Sequence, residues 1–552
     1  MTAAELFVKC LEAEGVEYIF GLPGEENLDF LEALRTSKTI QFVVCRHEQA
    51  AGFMAAAYGR LTGKPGVCLS TLGPGATNFV TAAAYAFLGG MPMIMLTGQK
   101  PIRFSKQGAF QIIDIVSLMR PVTKLSKQIT HGDLIPTTVR ESFKIASEER
   151  PGPVLLELPQ DVARDVTTSQ PLEVTKVRRP VAEVKAINLA LELLKKAQKP
   201  MLVIGAGANR KLTSNMLTEF VNFTKIPFIT TQMGKGVINE TLTQYLGTTA
   251  LSADDGVHHL IDEADLIINV GHDVYEKPPF IMRREQTRKV IHLHFYPAKL
   301  DDLYFPQLEV VGDIANAIWQ MLEVLKQAEL PKWNLKDVYE EAERLLARET
   351  KRNNETAKMW SKTTKQLKPQ EIVKVLREVR SANTVFSLDN GMYKLWLSRN
   401  LPALVPNSVL LDNALATMGA GLPVGIAAKL VQPDKDVIVV TGDGGLMMNS
   451  QELETAVRLG LDMVVLLLND NGYGMIKWEQ DHYHYPRFGL NFTNPDFKLH
   501  AESYGCKYSK PTNSTQLYTA LNTAIAAKGI TIIEVPTDYS SSSEDIRLLK
   551  KL

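Results

Sequence analysis

Short, continuously apolar runs alternate with longer helical stretches along most of this chain. From about residue 3 to residue 164, the runs QFVVC, MPMIMLTGQ and PVLLELP are typical of strands that are buried on both faces. The alanine-rich stretch EQAAGFMAAAYGRLTG, which lies between two of them, is long enough for a helix. This order predicts a parallel sheet whose two faces are covered by helices.

The same alternation recurs twice further along the chain. The second stretch closes with GDIANAIWQMLEVLKQA, whose apolar spacing predicts a helix. Buried strands are predicted in this stretch at KPMLVIGAGA, IPFIT, ADLIINVG and RKVIHLHF. In the third stretch they are predicted at TVFSLDNG, DVIVVTGDGG, MVVLLLNDN and ITIIEVP. The recurrence indicates three α/β units rather than one core.

Two segments of different composition separate these units. We interpret the polar, proline-containing segment near residues 165–185 as a linker, and the charged segment from Leu330 to about Lys368 as a solvated connecting helix. The final residues, SSSSEDIRLLKKL, are interpreted as a loose tail or a surface strap. The predicted fold class is α/β, with three doubly wound parallel-sheet domains over residues 1–165, 185–330 and 369–540.

The composition narrows the range of partners. The 552 residues include 61 lysines and arginines and 61 aspartates and glutamates, so no excess positive charge favours nucleic acid or an anionic membrane. The 4 cysteines form no CxxC pair, which fits a reducing compartment. Glu5, Glu12 and Glu14 make the start of the chain unlike a secretory signal, and no apolar run has the length of a membrane helix. We expect a cytoplasmic protein with no nucleic-acid or membrane partner.

The strongest chemical signal is a pair of glycine-containing turns after neighbouring strands. One apolar run ends in GDGG at residues 442–445, and the next ends in NDNG at residues 469–472. Parallel strands place both turns at the same edge of the sheet. Glycines let backbone amides approach a phosphate, and Asp443 and Asp470 supply oxygen ligands for magnesium or calcium. Either turn alone is ordinary, but together they predict a site for a diphosphate and a metal.

These turns resemble the thiamine-diphosphate-binding motif of the enzyme family that includes acetolactate synthases, pyruvate oxidases and pyruvate decarboxylases. The resemblance implies thiamine diphosphate and Mg²⁺ as cofactors, with Asp443, Asp470 and the Gly472 carbonyl as metal ligands. Most members have asparagine where Asp470 stands, and the added charge should make metal dependence strict because it repels the diphosphate. The cofactor contacts implied around this motif are Gly442, Gly444, Gly445, Asn471, Tyr473 and Met475.

A second signal is the glutamate of CRHEQAAGFMAAAYGRLTG, Glu48. A glutamate at a helix start usually only interacts with the helix dipole. In the family that this segment resembles, the glutamate at this position forms a hydrogen bond to N1′ of the aminopyrimidine and promotes loss of the C2 proton. Glu48 is the matching residue. The nearby STLGPGATN resembles the turn that lies beside the pyrimidine and contributes to the subunit interface. Its implied contact residues are Gly73, Pro74, Gly75 and Asn78.

Two further motifs match the family in order along the chain. Met418, in LDNALATMGAGLPVG, stands where the family has a bulky apolar residue that bends the cofactor, although a methionine here is otherwise core filler. SLDNGMYKLW resembles a loop that wraps the diphosphate, through Gly391 and Tyr393. The resemblance spans essentially the whole chain. It implies pyrimidine-binding, central and diphosphate-binding domains in that order.

The stretch from Lys106 to Lys124, KQGAFQIIDIVSLMRPVTK, resembles a segment of acetolactate synthases. By this resemblance Phe110 would shape an apolar pocket for a methyl group, and the amide of Gln111 would bind a keto-acid oxygen. The alternative is an amphipathic loop that packs on the core. Adjacent histidines typical of pyruvate decarboxylases are absent from this region. The pair His258-His259 lies in the middle unit, where we interpret it as part of a helix.

The middle unit departs from the flavin-binding members of the family. These members bind FAD through an RFDDR-like segment and an acidic residue after the next strand. Here the corresponding segments are GHDVYEKPP and VIHLHFYP, with His294 at the acidic position, and the GAG of LVIGAGANR is an incomplete dinucleotide motif. Gln160 replaces a lysine of the biosynthetic enzymes. These departures favour the FAD-independent, catabolic type, for which FAD is not required.

The sequence therefore predicts an acetolactate synthase that decarboxylates pyruvate and joins the remaining two-carbon unit to a second pyruvate, giving 2-acetolactate and CO₂. The family arrangement implies active sites between subunits of a homodimer or homotetramer. The alternatives are a decarboxylase or carboligase for another 2-keto acid, such as an aromatic one, and an FAD-containing member. A non-catalytic subunit is disfavoured because such a subunit would lack Glu48 or the metal carboxylates.

Overall fold

The protein is represented by a computed structural model that describes residues 1–103, 108–175, 179–250, 256–283, 287–345, 347, 366–490 and 492–540. Within these residues, the strands form three six-stranded sheets. All paired strands in the three sheets run parallel. The predicted α/β class with three parallel sheets is confirmed.

The first sheet has the strand order β2-β1-β3-β4-β6-β5. Its strands are β1 Tyr18–Gly21, β2 Gln41–Val44, β3 Gly66–Ser70, β4 Met93–Gln99, β5 Leu125–Gln128 and β6 Pro153–Pro159. Its helices are α1 Ala3–Ala13, α2 Leu28–Arg35, α3 Glu48–Thr62, α4 Pro74–Thr77, α5 Val80–Gly89, α6 Ile115–Met119, α7 Ile135–Ser147 and α8 Gln160–Ala163. The apolar face of α1, with Leu6, Phe7 and Leu11, belongs to the same buried core as Ile19 and Val67 of the strands.

The central sheet has the order β12-β11-β10-β7-β8-β9. Its strands are β7 Pro200–Ile204, β8 Phe228–Thr231, β9 Tyr245–Thr249, β10 Leu266–Val270, β11 Lys289–His294 and β12 Leu308–Val311. The helices of this region are α9 Val184–Lys196, α10 Lys211–Thr224, α11 Gly256–Glu263, α12 Ile314–Lys326 and α13 at 335–345. Counted from its own first strand, this order is 3-2-1-4-5-6, which is the arrangement of dinucleotide-binding folds.

The third sheet has the order β14-β13-β15-β16-β18-β17. Its strands are β13 Thr384–Leu388, β14 Val409–Leu410, β15 Asp436–Gly442, β16 Met463–Asn469, β17 Lys507–Ser509 and β18 Ile530–Pro536. The helices of this region are α14 Pro369–Val379, α15 Met392–Asn400, α16 Gly421–Val431, α17 Asp443–Asn449, α18 Glu452–Arg458, α19 Gly474–His482, α20 Phe497–Ser503 and α21 Ser514–Ala526. Counted from their own first strands, the first and third sheets share the order 2-1-3-4-6-5.

The chain folds into two compact units. The first contains Met1–Arg178, Ala414–Asp434 and Met447–Leu461, so that α16 packs against α3, and α18 against α16, although both helices come late in the chain. The second contains Arg179–Asn413, Lys435–Leu446 and Asp462–Leu552, and holds the other two sheets.

The segments between the sheets agree in part with the linker and the connecting helix that the sequence predicts. Residues 167–175 and 179–183 form neither helix nor strand, as expected of a linker. The charged connecting segment is helical at 335–345, and most of its remainder lies outside the described residues, as does the predicted tail from residue 541. No helix of the described ranges has the length and apolarity required to cross a membrane.

Candidate active site

Glu48 is the first residue of α3, at the carboxyl edge of the first sheet. Its side chain is buried, and Oε2 accepts a hydrogen bond of 2.9 Å from Nδ2 of Asn78. Oε1 lies 3.1 Å from the position that a Cβ on Gly75 would occupy. The structure thus brings together three of the residues that the sequence assigned to the pyrimidine. A side chain at Gly75 would crowd the carboxylate, which explains why glycine stands there.

The backbone that leads into Glu48 is held by a second carboxylate, Glu452 of α18. Glu452 accepts hydrogen bonds from the backbone N–H of Arg46 at 3.0 Å and of His47 at 3.1 Å. Burial raises the pKa of Glu452, while bonds from Thr455 and from these amides oppose the rise. Glu452 was not predictable from the sequence, because no local motif marks a glutamate whose partners lie about 400 residues away.

The Gly73 turn lies beside the loop that carries Phe110 and Gln111. Gly73 has φ of 51°, and a Cβ there would come within 2.8 Å of the Gln111 carbonyl oxygen. Both conditions favour glycine. Phe110 is 63% exposed, and Gln111 is exposed with φ of 59°. The two predicted substrate residues therefore adjoin the predicted pyrimidine turn, which continues through Pro74 at the start of α4.

Met418 is half-buried and precedes Gly419, which has φ of 84°. The amide of Asn449 donates to the Gly419 carbonyl at 2.7 Å and to Oε1 of Gln49 at 3.3 Å. Asn449 therefore ties the Met418 turn to the start of the helix that carries Glu48.

In the second unit, Asp443 and Asp470 lie at the same edge of the third sheet, as the sequence predicted. Strands β15 and β16 pair in register with Gly442 opposite Leu468, and each aspartate follows the end of one strand. Asp443 is buried, and burial raises its pKa. Burial, and next the charge of Asp443, raise the pKa of Asp470 to about 7. A buried and a half-buried carboxylate that repel each other fit a divalent cation, which would stabilise both in ionised form.

Two side chains that the sequence analysis missed contact this pair. Nδ2 of Asn494 donates to Oδ2 of Asp443 at 2.7 Å and to Oδ1 of Asn471 at 3.1 Å. Nζ of Lys477 lies 3.8 Å from Oδ2 of Asp470. Lys477 lies on α19, seven residues after Asp470, and belongs to no motif that the sequence singled out. Asn494 carries no local sequence signal.

The predicted diphosphate residues meet at the carboxyl ends of β13 and β15. A Cβ on Gly391 would lie 2.5 Å from the Tyr393 ring, and one on Gly442 would lie 3.2 Å from it. A Cβ on Gly445 would lie 2.5 Å from Oδ2 of Asp389. Tyr393 is buried, and burial raises the pKa of its hydroxyl. A side chain at any of these glycine positions would meet Tyr393 or Asp389, so the structure favours glycine at this edge of the sheet.

The remaining predicted contacts lie on the helices that begin at this edge. Gly444 is in the first turn of α17, while Tyr473 and Met475 lie at the start of α19. A buried cation that the sequence analysis missed, Lys394, lies on α15. Its ammonium donates to Oδ1 of Asn390 and to the Asp412 carbonyl, and burial lowers its pKa to about 8.

At the central sheet, the side chain of His294 covers the glycine loop that follows β7. A Cβ on Gly207 would lie 2.8 Å from Nε2 of His294, the residue at the position that is acidic in flavin-binding members. His294 is buried, and its ring lies 5.3 Å from that of His292 and 3.8 Å from that of Tyr296. His258 and His259 lie on α11, which confirms their interpretation as part of a helix.

Comparison with known proteins identifies all three regions. Residues 1–118 match the thiamine pyrophosphate enzyme N-terminal TPP binding domain, residues 187–321 the central domain, and residues 389–535 the C-terminal TPP binding domain. The chain is 32% identical to an acetolactate synthase of Bacillus subtilis, over 98% of this chain and 94% of that protein.

Catabolic acetolactate synthases and other acetolactate synthases match this chain at similar sequence identity. A probable acetolactate synthase large subunit of Methanocaldococcus jannaschii is 33% identical, over 98% of this chain and 92% of that protein. A catabolic acetolactate synthase of Raoultella terrigena is 30% identical, over 97% and 95%. These identities do not separate the catabolic enzymes from the others. Together, the three domains and the full-length relatives show that this chain belongs to the acetolactate synthase family of thiamine-pyrophosphate-dependent enzymes.

Proposed function

We propose that the protein condenses two molecules of pyruvate to 2-acetolactate and CO₂, with thiamine diphosphate and Mg²⁺ as its cofactors. The observation that carries the proposal is the pair of buried Asp443 and half-buried Asp470 beside the glycine turn of β15, in a chain whose full length resembles acetolactate synthases. The proposed domain boundaries, 1–165, 185–330 and 369–540, each enclose one of the matched family regions.

The metal would be held by Asp443, Asp470 and the carbonyl of Gly472. No group of three or more histidine, cysteine or acidic side chains within the described ranges is placed to hold a metal ion. Two carboxylates and one carbonyl leave coordination positions for diphosphate oxygens and water, which suits Mg²⁺. The backbone of Gly442, Gly444 and Gly445, at the start of α17, would accept the diphosphate.

When bound, thiamine diphosphate supplies a carbon nucleophile and an electron sink for decarboxylation. Glu48 would hold a proton at N1′ of the aminopyrimidine, and the Asn78 amide would fix the carboxylate that does so. Met418 would support the bent form of the cofactor. Glu452 would act indirectly, because it fixes the backbone before Glu48.

Phe110 and Gln111 would recognise the keto acid. The phenyl ring would contact the methyl group of pyruvate, and the amide would donate to the keto oxygen. Their position beside the Gly73 turn supports this assignment. The rival substrate, an aromatic keto acid, would need space that a ring at residue 110 reduces.

We propose that FAD is not required. The contact between His294 and the Gly207 loop supports this proposal, because the loop that would approach a dinucleotide phosphate is already covered. The rival is an FAD-containing member that binds flavin through other contacts. We further propose a cytoplasmic homodimer or homotetramer with active sites between subunits.

The product balance tests the proposal. Purified protein is incubated with pyruvate, Mg²⁺ and thiamine diphosphate, and pyruvate, CO₂ and acetolactate are quantified. The proposed reaction consumes two pyruvates for each CO₂ and each acetolactate. Acetaldehyde as the main product would indicate a simple decarboxylase, and no turnover of pyruvate alongside turnover of an aromatic keto acid would indicate the rival substrate.

A further inference from the structure

A buried ion pair lies at the carboxyl edge of the first sheet and has no role in the function described above. Nζ of Lys100, the residue after β4, lies 2.5 Å from Oε1 of Glu26, in the turn after β1. Each side chain is 4% exposed. Removing two charges from water is costly, and an apolar pair of the same volume is often as stable. The pair also lies at the sheet edge where open parallel sheets bind ligands.

Thr71 connects this pair to Glu48. Its hydroxyl donates to the second oxygen of Glu26. Cγ2 of Thr71 lies 3.0 Å, and Oε1 of Glu48 lies 3.1 Å, from the same position, that of a Cβ on Gly75. The ion pair is therefore separated by one residue from the carboxylate proposed to activate the cofactor.

The pair also adjoins the proposed substrate loop. Nζ of Lys100 lies 6.0 Å from the centre of the Phe110 ring. Residue 111 follows in the chain and contacts the Gly73 turn. An ammonium, a phenyl ring and a glutamine thus occur in one neighbourhood. These groups correspond to the carboxylate, the methyl group and the keto oxygen of pyruvate.

The Lys100 ammonium has capacity for a ligand. An ammonium has three N–H donors. Oε1 of Glu26 accepts one of them, and the other two have no acceptor within the described part of the chain. Burial acts to raise the pKa of Glu26, but the hydrogen bonds from Lys100 and Thr71 lower it overall. Glu26 is therefore ionised and holds the ammonium in place.

We propose that Lys100 binds the carboxylate of the acceptor keto acid, the second pyruvate. This role rests on the proposed function. The donor loses its carboxylate as CO₂, so a cation that stabilised the donor carboxylate would oppose the reaction. The acceptor keeps its carboxylate in the product. A charge-assisted hydrogen bond to the acceptor therefore persists through the bond-forming step.

The proposal predicts how the two-carbon unit is partitioned after CO₂ has left. In one route, its carbon forms a bond to the keto carbon of the acceptor, and the keto oxygen takes a proton, which gives acetolactate. In the other, the carbon takes a proton and leaves as acetaldehyde. Each route consumes one proton. Loss of the Lys100 ammonium should favour acetaldehyde, because the acceptor binds less tightly.

The test compares acetolactate formed per CO₂ released in the wild type and in Lys100→Met. We expect this ratio to fall about ten-fold at subsaturating pyruvate, as for loss of a hydrogen bond to a charged group. Because Lys100→Met alone leaves a buried carboxylate without its partner, the double variant Glu26→Gln/Lys100→Met is measured as well. The double variant carries neither charge and should show the same loss.

Two single variants distinguish a role of Lys100 in acceptor binding from a role in stabilising the fold. Glu26→Gln keeps the ammonium but removes the charge that holds it, so it should lower the ratio less than either variant that lacks Lys100. Lys124→Met removes another partly buried lysine of the first unit, whose ammonium donates to the carbonyls of Ile145 and Glu148. It should keep the ratio even if it lowers the melting temperature.

Two results would overturn the role of Lys100. One is a wild-type ratio in both variants that lack Lys100. The other is an equal loss in Glu26→Gln, which would show that the ion pair is structural. CO₂ without acetolactate from the wild type would instead refute the proposed function, and with it this role.

Discussion

The third sheet and the central sheet each present a glycine turn at their carboxyl edge, but the surroundings of the two turns differ. After β15, Gly442 is followed by the buried Asp443, and Asp470 lies at the end of the neighbouring strand. After β7, the turn at Gly207 is covered by the ring of His294. Glycines make room for a phosphate, and the neighbouring side chains decide whether the space stays available.

A raised pKa does not by itself distinguish the two edges. Burial raises the pKa of Glu276, in the central region, to about 7, the same value as for Asp470. Glu276 accepts hydrogen bonds from the Thr231 hydroxyl and the Met233 amide, so its neighbours satisfy it. A neighbouring carboxylate contributes to both shifts, because the charge of Asp273 raises the pKa of Glu276 and the charge of Asp443 raises the pKa of Asp470. The third sheet differs because its two carboxylates follow adjacent strands beside a glycine turn, which is an arrangement that suits a cation and a phosphate.

The largest effect is expected from Asp443→Ala. It should abolish the metal-dependent part of thiamine diphosphate binding, so that the affinity with Mg²⁺ falls to the value measured with a chelator. Binding titrations with and without Mg²⁺ measure this, and Asp470→Ala should behave alike. Glu276→Gln is the matched control from the central sheet and should bind normally. Wild-type affinity in both aspartate variants would refute the metal site.

Glu48→Gln should slow acetolactate formation by about 100-fold or more while thiamine diphosphate still binds, because an amide cannot share a proton with N1′. Steady-state rates, together with the cofactor titration, separate the two effects. Near-normal turnover would remove Glu48 from the mechanism.

Asp470→Asn should change thiamine diphosphate binding less than the alanine variants do, and in the opposite direction. Removing one of two adjacent negative charges should strengthen thiamine diphosphate binding in a chelator by several-fold, and so weaken the metal dependence. The ratio of affinities with and without Mg²⁺ reports this change. An unchanged ratio would show that the extra carboxylate does not repel the diphosphate.

The smallest effect is a pH dependence of stability at the central sheet. The folded pKa of Glu276, about 7, exceeds its ordinary value of 4.5. The raised pKa therefore does not lower the free energy of unfolding below pH 4.5. As the pH rises through 7, it lowers this free energy by at most about 3 kcal/mol. Glu276→Gln should lessen the loss of melting temperature between pH 5 and pH 8. An equal loss of melting temperature in the wild type and in Glu276→Gln would contradict the raised pKa of Glu276.

The sequence predicted interior strands better than edge strands. β16, MVVLLLN, is buried at every residue, and its apolar run was recognisable. β5, LSKQ, is half-buried throughout, and β14 has 2 residues, so neither has a hydrophobic pattern. The edge strands β9, β12 and β17 were also missed, as was the short interior strand β1, because strands of 3 to 5 residues give little periodic pattern.

The same limit applies to the site. Asp443 and Asp470 were predictable because each follows a buried strand in a short motif. Asn494, Glu452 and Lys100 were not, because their partners are set by tertiary packing rather than by local sequence.

The most direct test of the central claim is reconstitution of protein stripped of small molecules. Acetolactate formation is measured after adding back thiamine diphosphate, Mg²⁺ and FAD singly and in combination, with an absorbance scan for flavin before stripping. The account predicts full activity with thiamine diphosphate and Mg²⁺ together, no activity when either is omitted, and no further gain from FAD. Stoichiometric flavin in the purified protein, whose removal stops the reaction until FAD is restored, would contradict it.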